Sequence, residues 1–364
     1  MPKITVILPV YNSQKFIEQC LNSIVNQSLK DIEIICINDF SQDNSWDIVK
    51  NFAQNDSRFV LIENSENKKQ GYCRNLGVVK AKSPYIHFID SDDWINDLDF
   101  YKNVYEEIVN SDIDIYVFNY YEYHNDINIL VEDEKCKRFP FLYDKFKMDT
   151  SLKVKASEII LSGMAWDKVY KKDFLINNNI VFAEGVYWED ILFNFLLKIS
   201  SPKIRITDKK YIVYRLNAEN STTTNILGIC KDSIRMAYIS KEMLEKNGLI
   251  NKYKKEFIEN YICTIYFDIL RRVKEKSYLK FLLMKTDIKK FFNSLNLTSN
   301  DLEMFRNYNE GLCDLLQELM KSNLYIDLFK YIIRLIFSVR NTDNKKFKIV
   351  TILGIKLKFR RGNA

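Results

Sequence analysis

A chain of 364 residues, 47% apolar and 28% charged, is long enough for two domains and can bury a real core; its 9 Gly and 5 Pro exclude collagen-like, elastic and low-complexity architectures. The formal net charge of +6 is too small to mark a nucleic-acid binder, so no nucleic-acid partner is expected. Seven scattered Cys without a C-x-x-C pair, beside only two His, exclude a structural zinc site and read as reduced, cytosolic thiols.

The opening Met-Pro-Lys-Ile-Thr-Val lacks the apolar stretch of a signal peptide. Apolar, β-branched runs predict strands at Ile4–Leu8, Ile32–Ile37, Phe59–Ile62, Tyr85–Ile89 and Ile113–Phe118. Helix patterns separate them at Gln14–Gln27, Ser45–Gln54, Gly71–Ala81 and Leu98–Asn110. Continuous apolar strands with helical crossovers predict an α/β fold, a mostly parallel, Rossmann-like sheet with helices on both faces. Ligands of such sheets bind beyond the carboxyl ends of the strands. Residues 122–155 are polar and irregular, with an acid run at Glu132–Glu134, and read as an excursion or lid.

Helix signals return at Ala156–Gly163, Lys172–Asn178 and Glu189–Ile199, followed by short strands at Ile204–Ile206 and Tyr211–Tyr214. From about Cys230 the pattern is helical to about Arg340, over 231–247, 252–275, 278–294, 299–307 and 310–338. Lys348–Phe359 alternates around Gly354 as a small hairpin. The chain thus divides into an α/β domain over 1–225, an all-helical region over 226–340 and a basic tail over 341–364. The tail carries Lys345, Lys346, Lys348, Lys356, Lys358, Arg360 and Arg361 and no acid; without them the balance is 47 − 48 = −1. Two readings stand for it, a solvated terminus or a contact with anionic lipid headgroups. No run of about 18 apolar residues predicts a spanning helix. The stripe Leu328, Phe329, Ile332, Ile333, Ile336 and Val339 has helical spacing and suits core packing, a homodimer interface or a helix lying on a membrane.

Four constellations carry chemistry, two at predicted strand ends and two at predicted helix starts. Asp90, Asp92 and Asp93 follow the fourth strand; carboxylates so crowded repel unless a hard cation, Mg²⁺ or Mn²⁺, sits among them, or unless they cap the next helix. Asp39 ends the second strand, placed to accept hydrogen bonds from a base or ribose, or to cap the following helix with Ser41 and Asp43. No G-x-G-x-x-G follows the first strand, which disfavours a nicotinamide site. Gly71 opens a helix that carries Arg74 one turn in; helix amides beside a guanidinium suit a diphosphate, and the alternative is a surface helix with ordinary charges. Tyr187-Trp188-Glu189-Asp190 sets two carboxylates beside two aromatics at a helix start. One acid there can serve as a general base over an aromatic sugar floor, or both can simply favour the helix dipole.

Taken together, Thr5–Asn12, Glu33–Asp39, Arg74–Gly77, Phe88–Asp93, Trp166–Tyr170 and Glu189–Phe193 resemble, in order and spacing, a family 2 glycosyltransferase of the GT-A fold, in the bacterial cell-surface polysaccharide and lipooligosaccharide branch. The resemblance runs from residue 3 to about 224. It implies a nucleoside pocket lined by Pro9, Tyr11 and Asn12, with Asp39 on the uracil or ribose. It implies further donor contacts at Arg74, Asp90, Ser91, Arg215 and Ser221, a metal on the diphosphate at Asp92, and Asp190 as base with Glu189 orienting it or the acceptor. Trp94, Trp166, Tyr187 and Trp188 would meet the acceptor, a glycan or lipid-linked saccharide. The implied reaction is inverting transfer of a hexosyl or N-acetylhexosaminyl group from a UDP-sugar with Mn²⁺ or Mg²⁺, at the cytoplasmic face of the membrane. The chain departs from the family pattern at Phe40, where Gly is usual, at Asn38, where an acid is usual, at Cys73, where Ala is common, and in a late loop without His. Two other readings of the same acids are a sugar-1-phosphate nucleotidyltransferase and a non-catalytic nucleotide-sugar-binding relative. The first would need a Gly-rich basic loop where Val10-Tyr11-Asn12-Ser13 stands, and the second would have lost the base or the metal acid.

Overall fold

The structure is a computed structural model that describes residues 1–131, 164–216, 226–262 and 278–298, the single residues 301 and 321, and strands at 337–341, 347–352 and 355–360. The chain packs as two units, Met1–Asn225 and Ile226–Ala364. In the first, strands β1 (Ile4–Val10), β2 (Ile32–Asn38), β3 (Phe59–Glu63), β4 (Tyr85–Phe88), β5 (Trp94–Ile95), β6 (Ile115–His124), β7 (Ile129–Val131), β8 (Lys168–Lys171) and β9 (Ile204–Leu216) form one sheet. Its helices are α1 (Ile17–Val25), α2 (Ser45–Gln54), α3 (Lys69–Lys80), α4 (Phe100–Ile108), α5 (Lys172–Asn177) and α6 (Asp190–Ile199).

Every residue of β1 and β2 is buried, as an uninterrupted apolar run requires when helices cover both faces. The two pair in parallel from Ile4↔Ile32 to Val10↔Asn38, so the segments after Val10 and Asn38 leave the sheet side by side. β3 adds to β2 and β4 to β1, both parallel. α1 buries Ile17, Cys20, Leu21 and Ile24, the spacing of a single helical stripe. Beyond β4 the sheet departs from the predicted parallel order. β8 inserts antiparallel between β4 and β6, and β9 runs parallel to β6. The two short strands expected near 204 and 211 are one strand, whose pairing with β6 shifts register around Asn119. The polar residues Asp208 and Lys209 read as a break, and the irregularity absorbs them.

In the second unit, α7 (Ile226–Lys246), α8 (Lys254–Ile262) and α9 (Tyr278–Asn293) bury Met236, Ala237, Leu244, Phe257, Tyr261, Ile288 and Phe291. Strands β10 (Phe337–Asn341), β11 (Phe347–Ile352) and β12 (Ile355–Arg360) form a separate antiparallel sheet. The hairpin around Gly354 is therefore present and gains a third strand. The helix expected to run to Ser338 does not: Phe337 and Val339 alternate with Ser338 and Arg340 and pair with Ile352 and Val350. The expected helices at 156–163 and 299–307, most of 310–336, and Ser221 lie outside the described residues. No helix among the described residues is long and apolar enough to cross a membrane.

Candidate active site

The segments that follow β1, β2 and β4 meet the N-termini of α3 and α6. Val10 O accepts the Asp39 N–H at 2.8 Å, Ser41 Oγ accepts the Asn12 N–H at 3.2 Å, and Asn12 Oδ1 accepts the Gln42 N–H at 2.8 Å. These bonds lace the two loops together, with Tyr11 48% and Phe40 46% exposed upon them. Pro9 is buried as the penultimate residue of β1. Asp39 is buried, and its carboxylate accepts the Lys68 and Lys69 N–H groups, each at 2.8 Å, and Asn64 Nδ2 at 2.9 Å. The carboxylate thus caps α3 rather than the helix that follows it in sequence. Asp43 performs that second role, accepting the Ser45 N–H at 3.0 Å.

α3 approaches the segment before α6 so closely that a Cβ on Gly71 would lie 2.0 Å from Ala183 O and 3.0 Å from Glu189 Cβ. One turn on, Arg74 is 3% exposed. Its Nη2 donates to Asp90 Oδ1 at 2.6 Å and its Nη1 to Glu189 Oε1. Burial acts against the guanidinium charge, and Asp90 and then Glu189 reverse that effect, holding it firmly protonated. Sequence reading placed Arg74 on the donor; the structure instead occupies its guanidinium with two acids of this chain.

The Asp90–Asp93 turn closes with the Asp93 N–H on Asp90 O at 3.2 Å. Asp93 points inward, its Oδ1 accepting the Arg215 N–H at 2.8 Å, while its Oδ2 finds no partner among the described residues. Burial raises its carboxyl well above the ordinary range, and Asp92 and Asp90 add to the effect. Asp92, half-buried beside Ser91, is pushed up to about 6, first by burial and then by the charge of Asp90. Among the described residues no group of three or more His, Cys, Asp or Glu side chains is arranged to hold a metal. The expected three-carboxylate cage is therefore absent, because Asp90 turns to Arg74 and Asp93 to Arg215. Asp92 remains, an oxygen donor crowded by a like charge. That fits Mg²⁺ or Mn²⁺ held by one or two carboxylates with the rest of its shell from phosphate and water.

Arg215 lies within β9 and not in a closing loop. Its Nε donates to Asp92 O at 2.9 Å and its Nη2 to Gln19 Oε1 at 2.6 Å, and Phe16, Trp94 and Tyr123 surround the guanidinium at 4.7–5.1 Å. It therefore braces the aspartate turn. Trp94 stays half-buried beside it.

Across from the turn, Asp190 opens α6. Its carboxyl is pushed up to about 8, by burial first and by Glu189 next, against the opposing pull of Arg74 and Lys168. Tyr187 and Trp188 are half-buried; Lys69 Nζ sits over the Tyr187 ring at 3.3 Å, and Trp188 has φ +60°. Trp166 is a correction: it is 3% exposed, stacks on Tyr214 at 5.1 Å and belongs to the core, beyond reach of an acceptor. Sequence reasoning gave no role to Lys168, which is fully buried and donates to Asp167 Oδ1 at 2.5 Å and Met164 O at 2.6 Å. The signal was there, an acid and a base adjacent between Trp166 and Val169.

Residues 5–163 match the family model described as Glycosyl transferase family 2. Over that span the chain is similar to family 2 glycosyltransferases. The glycosyltransferase GlyA of Streptococcus pneumoniae serotype 4 is 34% identical over 223 residues, 59% of this chain and 30% of its own length. The uncharacterized glycosyltransferase EpsJ of Bacillus subtilis is 28% identical over 265 residues, 72% of this chain and 75% of its own. The chain thus spans under a third of the first relative and three quarters of the second. Among solved structures, S. aureus TarS 1–349 in complex with UDP-GlcNAc superposes with a TM-score of 0.64 at 18% identity, covering 99% of this chain and 100% of that one. At that identity the likeness is one of fold, and the sheet is that of the GT-A fold.

Proposed function

We propose that the chain transfers a sugar from a nucleoside-diphosphate donor, a UDP-sugar, to a hydroxyl of a cell-surface glycan or glycolipid, with inversion at the anomeric carbon. One observation carries the reading: a buried guanidinium joins Asp90, two residues beyond β4, to Glu189, beside Asp190, and so ties the strand-end acids to the start of α6. In this reading the donor nucleoside lies beyond β1 and β2, against Tyr11 and Asn12, and its diphosphate lies near Asp92. Asp190, once deprotonated, takes the acceptor hydroxyl proton, and the oxygen attacks from the face opposite the nucleotide. Tyr187 and Trp188 flank the acceptor, as Trp94 does from the other side. Glu189 and Arg74 fix the base, and Arg215 fixes the backbone of Asp92. A divalent cation bound at Asp92 supplies charge neutralisation for the departing diphosphate.

The UDP-GlcNAc complex of TarS supports the donor class. A thermal-shift screen of nucleotide sugars with Mn²⁺ or Mg²⁺ tests the reading, since the true donor stabilises the folded chain more than its bare nucleotide. Release of UDP on mixing that donor with an acceptor completes the test; stabilisation by no nucleotide sugar would refute it. We place the enzyme at the cytoplasmic membrane face. The tail supports this by its composition, with seven basic groups and no acid over residues 345–364. Retention of liposome binding after deletion of 341–364 would count against that placement.

A further inference from the structure

We propose that Phe40 is a further donor-positioning residue, forming with Tyr11 an aromatic clamp on the nucleobase. The inference rests on the nucleotide-donor reading above and concerns a residue to which that reading gives no task.

Phe40 has φ +66°, in the left-handed region where a Cβ crowds the backbone. Eight non-Gly residues among those described adopt positive φ, and four of them, Asn12, Asn128, Asn179 and Asn296, are Asn, whose side chain tolerates the region through local hydrogen bonds. Phe40 has no polar group to do so. Nor does packing offset the strain, because the ring is 46% exposed. The turn itself is specified by other groups. Asp39 is fixed from both sides by Val10 O and the α3 amides, the Ser41 N–H donates to Asn38 Oδ1 at 3.0 Å, and Gln42 Nε2 donates to Phe40 O at 3.1 Å. Glycine would meet every one of these demands at lower cost. Strain that no intramolecular contact relieves points to a task outside the chain.

The location names the task. Phe40 and Tyr11 are exposed aromatics on two loops laced by the Asn12–Ser41 and Gln42–Asn12 bonds, at the carboxyl edge of adjacent parallel strands. A planar base has two faces, and aromatic rings bind such faces with modest regard to sequence identity.

The test is calorimetric binding of UDP and of inorganic pyrophosphate to the full chain and to Phe40→Gly and Phe40→Tyr. Phe40→Gly is expected to melt higher than wild type, since it relieves the backbone, yet to bind UDP about 10-fold more weakly. Pyrophosphate binding should be unchanged, and Phe40→Tyr should retain UDP affinity. UDP binding by Phe40→Gly within about twofold of wild type overturns the clamp, and so does an equal loss for pyrophosphate, which would report a collapsed diphosphate site. A wild-type chain that binds no nucleotide overturns the donor reading itself, a result distinguishable from the other two.

Discussion

In the proposed reaction Asp190 is the base, and the environment of its carboxyl dictates a pH dependence. Pushed to about 8 in the ligand-free fold, it is protonated at neutral pH and a base only above that value. kcat/KM should therefore rise with pH through about 8, and Asp190→Asn should lose about 100-fold or more in turnover while keeping its fold by circular dichroism. Arg74 lowers that carboxyl while pairing Asp90 and Glu189, so Arg74→Met should move the inflection of the pH–rate profile upward. The same change strands buried acids and should cost about 3–5 kcal/mol in urea denaturation. An unmoved inflection would show that Arg74 acts on stability alone. Asp190 stands out in the sequence because an acid pair at a helix start after aromatics is a local pattern. It misread Arg74 because its partner Glu189 lies 115 positions away, and nothing local reports such a pairing. Trp166 misled for the opposite reason: beside Asp167 and Lys168 it looks like a surface aromatic, yet that pair is itself buried.

At the scale of elements, α3 couples the turn after β2 to the start of α6. Its first amides rest on Asp39 and its second residue pair packs on Ala183 and Glu189. Asp39→Ala should cost about 1–2 kcal/mol through loss of the cap, read as a lower urea midpoint with an unchanged m-value. Gly71→Ala forces α3 away from Ala183 O and Glu189, and its signature should be a loss of kcat larger than any change in donor binding. Equal kcat in that variant would mean the approach is not needed for the base. The parallel elements β1 to β4 were legible because unbroken β-branched runs separated by amphipathic helices admit few alternatives. β8 was not, since four residues with two lysines carry too little apolar signal to predict a strand. The strand at Phe337–Asn341 was hidden by the helical spacing of the apolar residues before it.

For the whole molecule, the raised carboxyls make stability depend on pH with a definite sign. An unfolded aspartate titrates near 3.9, so between about pH 4 and 8 the folded chain retains protons that the unfolded one has released. This contribution is fully present below about pH 4 and is lost as pH rises through about 6 for Asp92 and about 8 for Asp190. The melting temperature of the ligand-free protein should fall from pH 5 to pH 8.5 on this account, at about constant ionic strength, and Asp190→Asn should show a shallower fall. A slope identical in the variant would remove Asp190 from the explanation.

The antiparallel insertion of β8 bears on how the chain is made. One flank of β4 is sealed by β1, which precedes it, but the other waits for Lys168–Lys171, about 80 residues later (168 − 88). At a ribosomal pace of about 5–20 residues per second, a nascent chain carries that open flank for about 4–16 s. During this interval a neighbouring polysome product can add a foreign strand. Any product released before Lys168 keeps the seam open for good and should accumulate as insoluble material rather than as a small active enzyme.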